Sequence, residues 1–305
     1  MDVSFNTPQA TPRDRFDMSE LSSPLSAELS DKTKHLLEQL AKLESCAVAF
    51  SAGVDSTVVA KAAALALGSR ALAVTAVSPS LATGELAQAR QLAALIGIRH
   101  LELPTAEMGR EGYRQNGPDR CYHCKSELYT ELEQLAKAAG VHCILNGANV
   151  DDLGDYRLGL AAAAEHAVLS PLVDAGINKQ EVRELARHWS LPVWDKPASP
   201  CLSSRIAYGE EVTEARLRRI DEAEQFLKSL GVAPCRVRLH PGELARIEAP
   251  LELLARLAEP ETRELVSRRL RELGFQFVTL DLLGLQSGSL NQLLQIGGGA
   301  VEKSE

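Results

Sequence analysis

Aromatic side chains are scarce in this chain of 305 residues, where Phe, Trp and Tyr together make up 4% of the sequence. The chain has no run of about 18 consecutive apolar residues, the length that a membrane-spanning helix needs, so we expect no membrane partner. Residues 1–26 also lack the apolar segment of a secretory signal, which predicts a cytoplasmic protein. Six cysteines are too few for a disulfide scaffold, so we expect thiols, metal ligands or catalytic residues.

Basic residues are also in the minority, with 33 Lys and Arg against 41 Asp and Glu and a net charge of −8. A protein whose main task is to bind nucleic acid needs a basic face for the phosphate backbone, so we expect no nucleic-acid partner. A local basic pocket for a small anion remains compatible with this charge. A hydrophobic content of 45% with 24% charged residues is typical of a globular enzyme and excludes a wholly disordered chain.

Short apolar runs alternate with helical patterns over the first two thirds of the chain, and each run predicts a buried strand. The runs lie at 46–50, 71–77, 98–103 and 141–145. Glycines such as Gly68, Gly97 and Gly140 end the intervening helical segments. Strands separated by helices predict right-handed βαβ units, and therefore an α/β fold with a parallel sheet and helices on both faces.

The pattern changes beyond residue 198, where a long helix at 214–230 is followed by three short strands. These strands are predicted at 236–240, 244–248 and 276–282, with a helical stretch at 251–273. The sequence therefore predicts a first domain at 29–198 and a smaller α+β domain at 199–292. A disordered tail at 1–28 and a flexible tail at 293–305 complete the predicted organisation.

The turn after the first predicted strand reads Ser51-Ala-Gly-Val-Asp-Ser56 and leads into a helix. Free backbone N–H groups and the positive end of the helix dipole meet at such a turn, which favours binding of an anion. Gly53 lets the backbone approach an oxyanion closely, and the hydroxyls of Ser51 and Ser56 add hydrogen-bond donors. A Walker A loop is absent. Simple capping of the helix by Ser51 or Ser56 is the structural alternative.

This turn resembles the SGGxDS motif of the PP-loop ATP pyrophosphatases, with Ala52 in place of the first glycine. The resemblance implies a HUP-like ATP-binding domain in which the loop holds the pyrophosphate of ATP. Asp55 would then help to hold Mg²⁺ or orient the loop. Ala49 and Ser78, at the ends of the first two strands, would line the adenosine pocket, although plain strand packing explains them equally well.

A second segment at the same predicted sheet edge follows the fourth strand, at 146–152. Ligands of open parallel sheets bind at the carboxyl ends of the strands. Gly147 would therefore approach the nucleotide, and Asp151 or Asp155 would assist the metal or the ribose. A turn capped by Asn and Asp side chains is the alternative for this segment.

Three of the six cysteines are candidates for chemistry. Cys121 and Cys124 form a CxxC motif, which is compatible with zinc, iron–sulfur or redox roles, and a closed zinc site would need Cys201 and His123 or another group to join. Cys201 lies in a proline-bounded loop at the predicted domain boundary. The other three, Cys46, Cys143 and Cys235, lie in or beside apolar strands and are predicted to be inert.

Charged residues of the second domain suggest an anion site. Arg236 and Arg238 are two apart on a predicted strand, so both lie on one face, opposite Val237 and Leu239. Two guanidinium groups on one face suit carboxylates or a phosphate, whereas an exposed polar strand face is the alternative. Glu224 falls on the apolar stripe of the preceding helix, and a buried acid there needs a partner.

Several segments of the second domain, read together with the ATP loop, resemble the LarE family across about residues 30–292. They are PCLSSRIAYGEEVT at 200–213, AEQFLKSLG at 223–231, CRVRLH at 235–240, ARIE at 245–248 and VTLDLLGLQSGSLN at 278–291. The resemblance implies an ATP-dependent sulfur transferase that forms AMP and pyrophosphate. It would adenylate a carboxylate of pyridinium-3,5-biscarboxylic acid mononucleotide and insert sulfur, as in the biosynthesis of the nickel-pincer nucleotide cofactor. It also implies a homo-oligomer.

Family roles carry over by position onto residues of this chain. Cys201 would bear the sulfur, and Glu224 would be a catalytic or substrate-contacting acid. Arg236 and Arg238 would bind the phosphate or carboxylates of the substrate, and Arg205 would stabilise an oxyanion beside it. Each of these roles is an expectation from the resemblance.

The additional Cys121 and Cys124 resemble the three-cysteine branch of the family, in which three thiolates with Cys201 hold a [4Fe–4S] cluster with one open iron. A structural Zn²⁺ and the absence of any metal are the alternatives. Three other functions remain open from the sequence: a PP-loop enzyme that thiolates tRNA, an ammonia-dependent amide synthetase that needs no cysteine, and a nucleotide-binding regulator without chemistry.

Overall fold

The computed structural model of the chain describes residues 25–154, 158–286 and 290. The predicted tail at 293–305, most of the tail at 1–28 and Asp155 lie outside these residues. The first helix, α1, begins at Ala27 and is capped by Ser26, whose side chain accepts a hydrogen bond from the backbone N–H of Leu29. Helix α1 thus begins two residues before the predicted boundary at residue 28, and the division of the chain there stays a prediction.

A four-stranded parallel sheet in the order β3-β2-β1-β4 forms the first half of the chain. Its strands are β1 (Cys46–Ala49), β2 (Ala71–Val77), β3 (Arg99–Pro104) and β4 (Cys143–Leu145). The chain passes from β1 through β2 to β3 on one side and then returns to place β4 on the other side of β1. The strand order thus reverses between β1 and β4, and such a reversal opens a crevice at the carboxyl ends of the strands.

Helices cover both faces of this sheet, which confirms the predicted fold class. They are α1 (Ala27–Ala41), α2 (Val54–Leu67), α3 (Glu85–Ile96), α4 (Glu111–Arg114), α5 (Arg120–Ala139), α6 (Leu158–Glu165), α7 (Pro171–Asp174) and α8 (Lys179–His188). Alternate strand residues point to opposite sides. Val48 and Ala73 pack into the core beneath α1, α2, α3 and α8, whereas Ala47 and Leu72 pack into a second core beneath α5 and α6.

Helix α5 begins earlier than its sequence pattern indicates. The sequence predicts a helix after Cys124, but α5 starts at Arg120 and therefore includes both cysteines of the CxxC motif. Gly140 ends α5 in the left-handed conformation, with φ of 66°, as predicted. Residues three apart on a helix lie on one face, so the two thiols of the motif share a face of α5.

A smaller mixed sheet in the order β5-β6-β7 follows. Its elements are α9 (Glu214–Ser229), β5 (Arg236–His240), β6 (Leu244–Glu248), α10 (Leu251–Ala258), α11 (Pro260–Glu272) and β7 (Phe277–Leu280). Strands β5 and β6 are antiparallel, and β7 is parallel to β6. The predicted helical stretch at 251–273 divides at Pro260, which begins α11 because a proline is tolerated in the first turn of a helix.

The hydrophobic core beside the β5-β6-β7 sheet also contains residues from the first half of the chain. Tyr113 is buried in it together with Leu202 and Ile206. Leu202 donates its backbone N–H to the carbonyl of Ser80, which follows β2, at 2.9 Å. The division into domains at residue 199 stays a prediction. No helix in the described part of the chain is long and apolar enough to cross a membrane.

Candidate functional site

The loop between β1 and α2 is held in shape by its own serines. The hydroxyl of Ser56 lies 3.1 Å from that of Ser51, and it donates to the carbonyl of Gly53 at 3.2 Å. The backbone N–H of Ser51 donates to the hydroxyl of Ser56 at 3.3 Å. Ala52 adopts φ of 57° in this turn, the left-handed region that glycine enters at no steric cost. The loop thus forms a tight turn at the N-terminus of α2, even with alanine at that position.

Asp55, in the first turn of α2, is bound at both carboxylate oxygens. The side-chain amide of Asn149 donates to Oδ1 at 3.1 Å. The ammonium group of Lys179, at the start of α8, donates to Oδ2 at 2.5 Å. Sequence reasoning missed Lys179 because it lies 124 residues from Asp55 in the chain.

Gly147 lies directly against this loop, across the crevice between β1 and β4. A Cβ atom at Gly147 would lie 2.8 Å from the backbone nitrogen of Ser56, so only glycine fits there without a shift of the backbone. Its predicted approach to the nucleotide stays a prediction, but its contact with α2 gives a structural reason for glycine. Asp151 accepts the backbone N–H of Lys179 at 3.0 Å and so connects the same segment to α8.

The residues that follow β2 contact the Cys201 loop, because the carbonyl of Ser80 accepts the backbone N–H of Leu202. Ala49 ends β1 and is half-buried, and Ser78 follows β2. The hydroxyl of Ser78 donates to the carboxylate of Glu107, which is buried, and Ser80 donates to the same oxygen at 3.0 Å. Glu107 was not a candidate from sequence, where an isolated acid in a polar stretch gives no signal.

The three candidate cysteines lie near one another but differ in exposure. Cys121 and Cys201 are exposed, and Cys124 is half-buried. Burial, followed by the charge of Cys201 and, more weakly, of Cys121, raises the pKa of Cys124 to about 12. Cys124 therefore stays protonated near neutral pH unless a bound cation takes its proton's place.

Two cations from α5 face these thiols. Burial disfavours the charge of Arg120, but Cys201 and Cys121 raise its pKa above the ordinary value. Lys125 is likewise disfavoured by burial, while Tyr129, Cys124 and the other two thiols raise its pKa. Arg120 also donates to the backbone carbonyl of Ser203 at 2.8 Å, so it ties α5 to the Cys201 loop. Neither residue was singled out from the sequence.

Within the described residues, no three His, Cys, Asp or Glu side chains are grouped closely enough to hold a single metal ion. His123, which sequence reasoning considered as a further ligand, is placed elsewhere. Its ring packs against Gly112 and lies 3.1 Å from a carboxylate oxygen of Asp119. This absence includes Cys121, Cys124 and Cys201, so their role as a donor set stays a prediction.

The loop that carries Cys201 is fastened at several points. Lys196 bonds to Glu85 at 2.9 Å and to Gln88 at 2.5 Å, both on α3. Arg205 donates to the carbonyls of Pro200 at 2.5 Å and Cys201 at 3.1 Å. The two cations nearest in sequence to Cys201 thus bind carboxylates and backbone carbonyls, and they hold the loop in place.

Glu224 is the partner of Arg205. Its carboxylate is 1% exposed, lies 3.0 Å from Nε of Arg205 and accepts the backbone N–H of Val237 at 3.1 Å. The buried acid on the apolar stripe of α9 therefore has the arginine partner that its burial requires. One carboxylate joins α9, β5 and the Cys201 loop.

Arg236 and Arg238 share a face of β5, and Val237 and Leu239 lie in the core on the other, as predicted. The alternative of an exposed polar face is wrong, because both arginines are buried. Burial and the charge of Arg238 lower the pKa of Arg236.

The two guanidinium groups have different partners. Arg238 pairs with the fully buried Glu248 at 2.9 Å and donates to the carbonyl of Ser204 at 2.9 Å. Among the described residues, Arg236 donates to the backbone carbonyls of Gln286 at 2.9 Å and Ala198 at 3.4 Å. In the same part of the chain, no acceptor meets the buried Nε of Arg238.

The fold and the site together define an α/β protein consistent with a PP-loop, HUP-like domain, joined to a small mixed sheet that carries buried arginines. No protein-family model matches the chain. It is 36% identical over 269 residues to the pyridinium-3,5-bisthiocarboxylic acid mononucleotide synthase of Lactiplantibacillus plantarum, covering 88% of this chain and 96% of that protein. The chain therefore belongs to the LarE family.

Two uncharacterized proteins are also similar to the chain. The protein slr1717 of Synechocystis sp. is 46% identical over 266 residues, which cover 87% of this chain and 99% of that protein. The protein MJ0830 of Methanocaldococcus jannaschii is 26% identical over 251 residues, which cover 82% of this chain and 94% of that protein.

Proposed function

We propose that the chain is an ATP-dependent sulfur transferase that acts on pyridinium-3,5-biscarboxylic acid mononucleotide. It adenylates a carboxylate of this substrate and replaces the activated oxygen by sulfur to give the thiocarboxylate. The observation that carries the proposal is membership of the LarE family, through a relative whose name is that of the bisthiocarboxylic acid mononucleotide synthase. The turn at Ser51–Ser56 and the exposed thiol of Cys201 would supply the two functions that such a reaction needs.

The first step activates a poor electrophile. A carboxylate oxygen of the substrate attacks the α-phosphorus of ATP, the bond to the bridging oxygen breaks, and pyrophosphate leaves. The loop from Ser51 to Ser56 would hold the departing pyrophosphate, because its N–H groups and the dipole of α2 favour negative charge. Asp55 would hold Mg²⁺, which neutralises that charge. Ala49, Ser78 and Gly147 would border the adenosine at the carboxyl ends of the strands.

The second step forms the carbon–sulfur bond. A nucleophilic sulfur attacks the acyl carbon, the carbonyl becomes an oxyanion, and AMP leaves as the carbonyl re-forms. If that sulfur is the thiolate of Cys201, a thioester forms, and its Cβ–S bond must then break with loss of the Cα proton to release the thiocarboxylate and leave dehydroalanine. If a sulfide bound near Cys201 is the donor, it would leave as the sulfur of the thiocarboxylate and Cys201 would stay intact. Buried donors next to such an oxyanion stabilise it strongly because water is excluded. Arg236 and Arg238 would bind the substrate phosphate or its second carboxylate.

Arg205 and Glu224 are assigned a positioning role. Arg205 is held by Glu224 and by the two carbonyls before and at Cys201, so it fixes the backbone of the thiol loop. Glu224 is enclosed by Arg205 and the backbone of β5. Neither side chain needs to touch the substrate to affect the reaction, because both fix the loop that carries the reacting sulfur.

Cys121, Cys124 and Cys201 would be the residues that hold a [4Fe–4S] cluster, as the resemblance to three-cysteine members of the family implies. Thiolates are the usual protein ligands of such clusters, so the residue types suit this role. Arg120 and Lys125 would balance the negative charge of the three thiolates. When bound, such a cluster would supply an exchangeable sulfide as the sulfur source.

Iron content tests this assignment. After anaerobic purification we expect about four irons and about four acid-labile sulfides per chain. The Cys121→Ala variant is expected to lose most of both, because a cluster left with two protein ligands is unstable. Cys46→Ala is the matched control, since Cys46 is fully buried in β1 and far from solvent. Stoichiometric zinc, or full iron content in Cys121→Ala, would contradict the cluster.

The adenylation step has its own test. With ATP, Mg²⁺ and the biscarboxylate mononucleotide, we expect AMP and pyrophosphate in equal amounts and no ADP, because attack occurs at the α-phosphorus. Nucleotides and pyrophosphate are separated and quantified by anion-exchange chromatography. Omission of the carboxylate substrate should reduce both products to background. Formation of ADP and phosphate, or AMP formation only with tRNA or ammonia, would refute the proposal in favour of another reaction.

A further inference from the structure

The metal-binding carboxylate of the proposed ATP site already holds a cation. Nζ of Lys179 lies 2.5 Å from Oδ2 of Asp55, and the amide of Asn149 occupies Oδ1. Asn149 is 2% exposed, whereas the side chains of Asp55 and Lys179 are 24% and 38% exposed. The carboxylate is therefore fixed on its inner side and paired with a solvent-accessible ammonium on its outer side.

Hydrogen bonds fix the backbone of Lys179, whereas its long, partly exposed side chain can change rotamer. Lys179 is the first residue of α8, next to Asn178, whose side chain and that of Glu181 form a capping box. Its backbone N–H donates to Asp151 at 3.0 Å. A lysine carries its charge on a flexible stem of four carbons with three rotatable donors. A short displacement would move the ammonium away from Asp55 while α8 stays in place.

Mg²⁺ and the ammonium group compete for the same carboxylate oxygen. Mg²⁺ prefers hard oxygen ligands and is commonly bound by one or two carboxylates together with the phosphates of its nucleotide. Two cations cannot share Oδ2 of Asp55 without strong repulsion at such short range. Entry of Mg²⁺ with ATP must therefore displace the ammonium, and the incoming phosphates are its nearest new anionic partners.

We propose that Lys179 is a nucleotide-positioning residue that occupies the metal's place on Asp55 in the empty site and moves to the phosphates of ATP when Mg²⁺ enters. The proposal rests on the proposed use of Mg²⁺ and ATP by this chain. The proposed role of Lys179 predicts a result that a purely structural role would not produce. Removal of the ammonium frees Asp55 for a metal ion alone, yet it deprives the nucleotide of a cationic partner, so the two affinities change in opposite directions.

The test measures both affinities in Lys179→Met. Binding of Mn²⁺ alone is followed by electron paramagnetic resonance, and ATP is followed through kcat and KM for pyrophosphate release. We expect Mn²⁺ to bind roughly fivefold more tightly than in the unchanged protein, since a competing charge is gone. KM for ATP should rise roughly tenfold, the effect of one charge-assisted hydrogen bond, with a smaller change in kcat.

Two further variants sharpen the result. Lys32→Met is the control, because Nζ of Lys32 lies 2.7 Å from the carboxylate of Glu181 on α8 and does not contact Asp55. This variant should change neither affinity. Lys179→Arg keeps the charge and should restore both values to within about threefold of the unchanged protein. Circular dichroism confirms that each variant is folded.

Each of the other possible results contradicts one part of the proposal for Lys179. Weaker or unchanged Mn²⁺ binding in Lys179→Met overturns the competition on Asp55, and an unchanged KM for ATP overturns the contact with the phosphates. An effect of Lys32→Met equal to that of Lys179→Met would show a general effect on α8 and would also overturn the role of Lys179. Failure of the unchanged protein to use ATP refutes the proposed function instead.

Discussion

We expect Cys201→Ser to lower sulfur transfer by roughly 10³-fold or more, while pyrophosphate release from ATP changes little. In the proposed reaction Cys201 either supplies the transferred sulfur or helps to hold the cluster that would supply it, and a serine hydroxyl can do neither. Cys201 is exposed, so the substitution opens no gap in the core. The thiocarboxylate is measured by mass spectrometry of the product, and pyrophosphate is measured by a coupled enzymatic assay.

Cys143→Ser is the matched control for this prediction. Cys143 is half-buried in β4, and its thiol donates to the backbone carbonyl of Ser45, a hydrogen bond that a serine hydroxyl can also make. Both activities should be retained in this control. Full sulfur transfer by Cys201→Ser would remove this cysteine from the mechanism.

We expect Glu224→Gln to lower the free energy of unfolding by about 3–5 kcal/mol, because the neutral amide leaves the cation of Arg205 buried without its counter-charge. The side chains of the pair are only 6% and 2% exposed. Sulfur transfer should fall as the Cys201 loop loses its anchor. Urea unfolding is followed by circular dichroism, because both tryptophans pack against the core of the first sheet and report on that sheet alone.

The control and a rescue distinguish positioning from contact with the substrate. Glu222→Gln changes an exposed acid on the same helix, 4.0 Å from Arg269, and should alter stability by less than about 1 kcal/mol. Glu224→Gln combined with Arg205→Met removes both charges and should recover part of the lost stability. An unchanged urea midpoint in Glu224→Gln, together with a loss of activity, would contradict the positioning role and favour direct contact with the substrate.

Much of the fold could be predicted from sequence because its signals are local. The apolar runs gave β2, β5 and β6 with the bounds that the structure has, and Gly97 and Gly140 mark the ends of α3 and α5. The start of α5 was missed, although Pro118 and Asp119 before Arg120 are typical of a helix start. The intervening Cys, Tyr and His residues have modest helix propensity, which concealed the first turn.

The partners of the charged residues could not be predicted, because they are set by tertiary packing. Arg236 and Arg238 were expected to be available to a substrate, but their burial and the pairing of Arg238 with Glu248 depend on the register between β5 and β6. The pair of Lys179 with Asp55 depends on the placement of α8 beside α2. A sequence pattern shows which residues share one face of a helix or strand. The residues that pack against that face are set by the tertiary fold.

The fate of a labelled carboxylate oxygen tests adenylation and sulfur transfer most directly. The biscarboxylate mononucleotide is prepared with ¹⁸O in its carboxylates and incubated with ATP and the protein under anaerobic, single-turnover conditions. Because the attacking carboxylate oxygen leaves with the α-phosphate, we predict one ¹⁸O atom in each AMP and a thiocarboxylate that has lost one labelled oxygen. AMP without the label would contradict adenylation of the carboxylate.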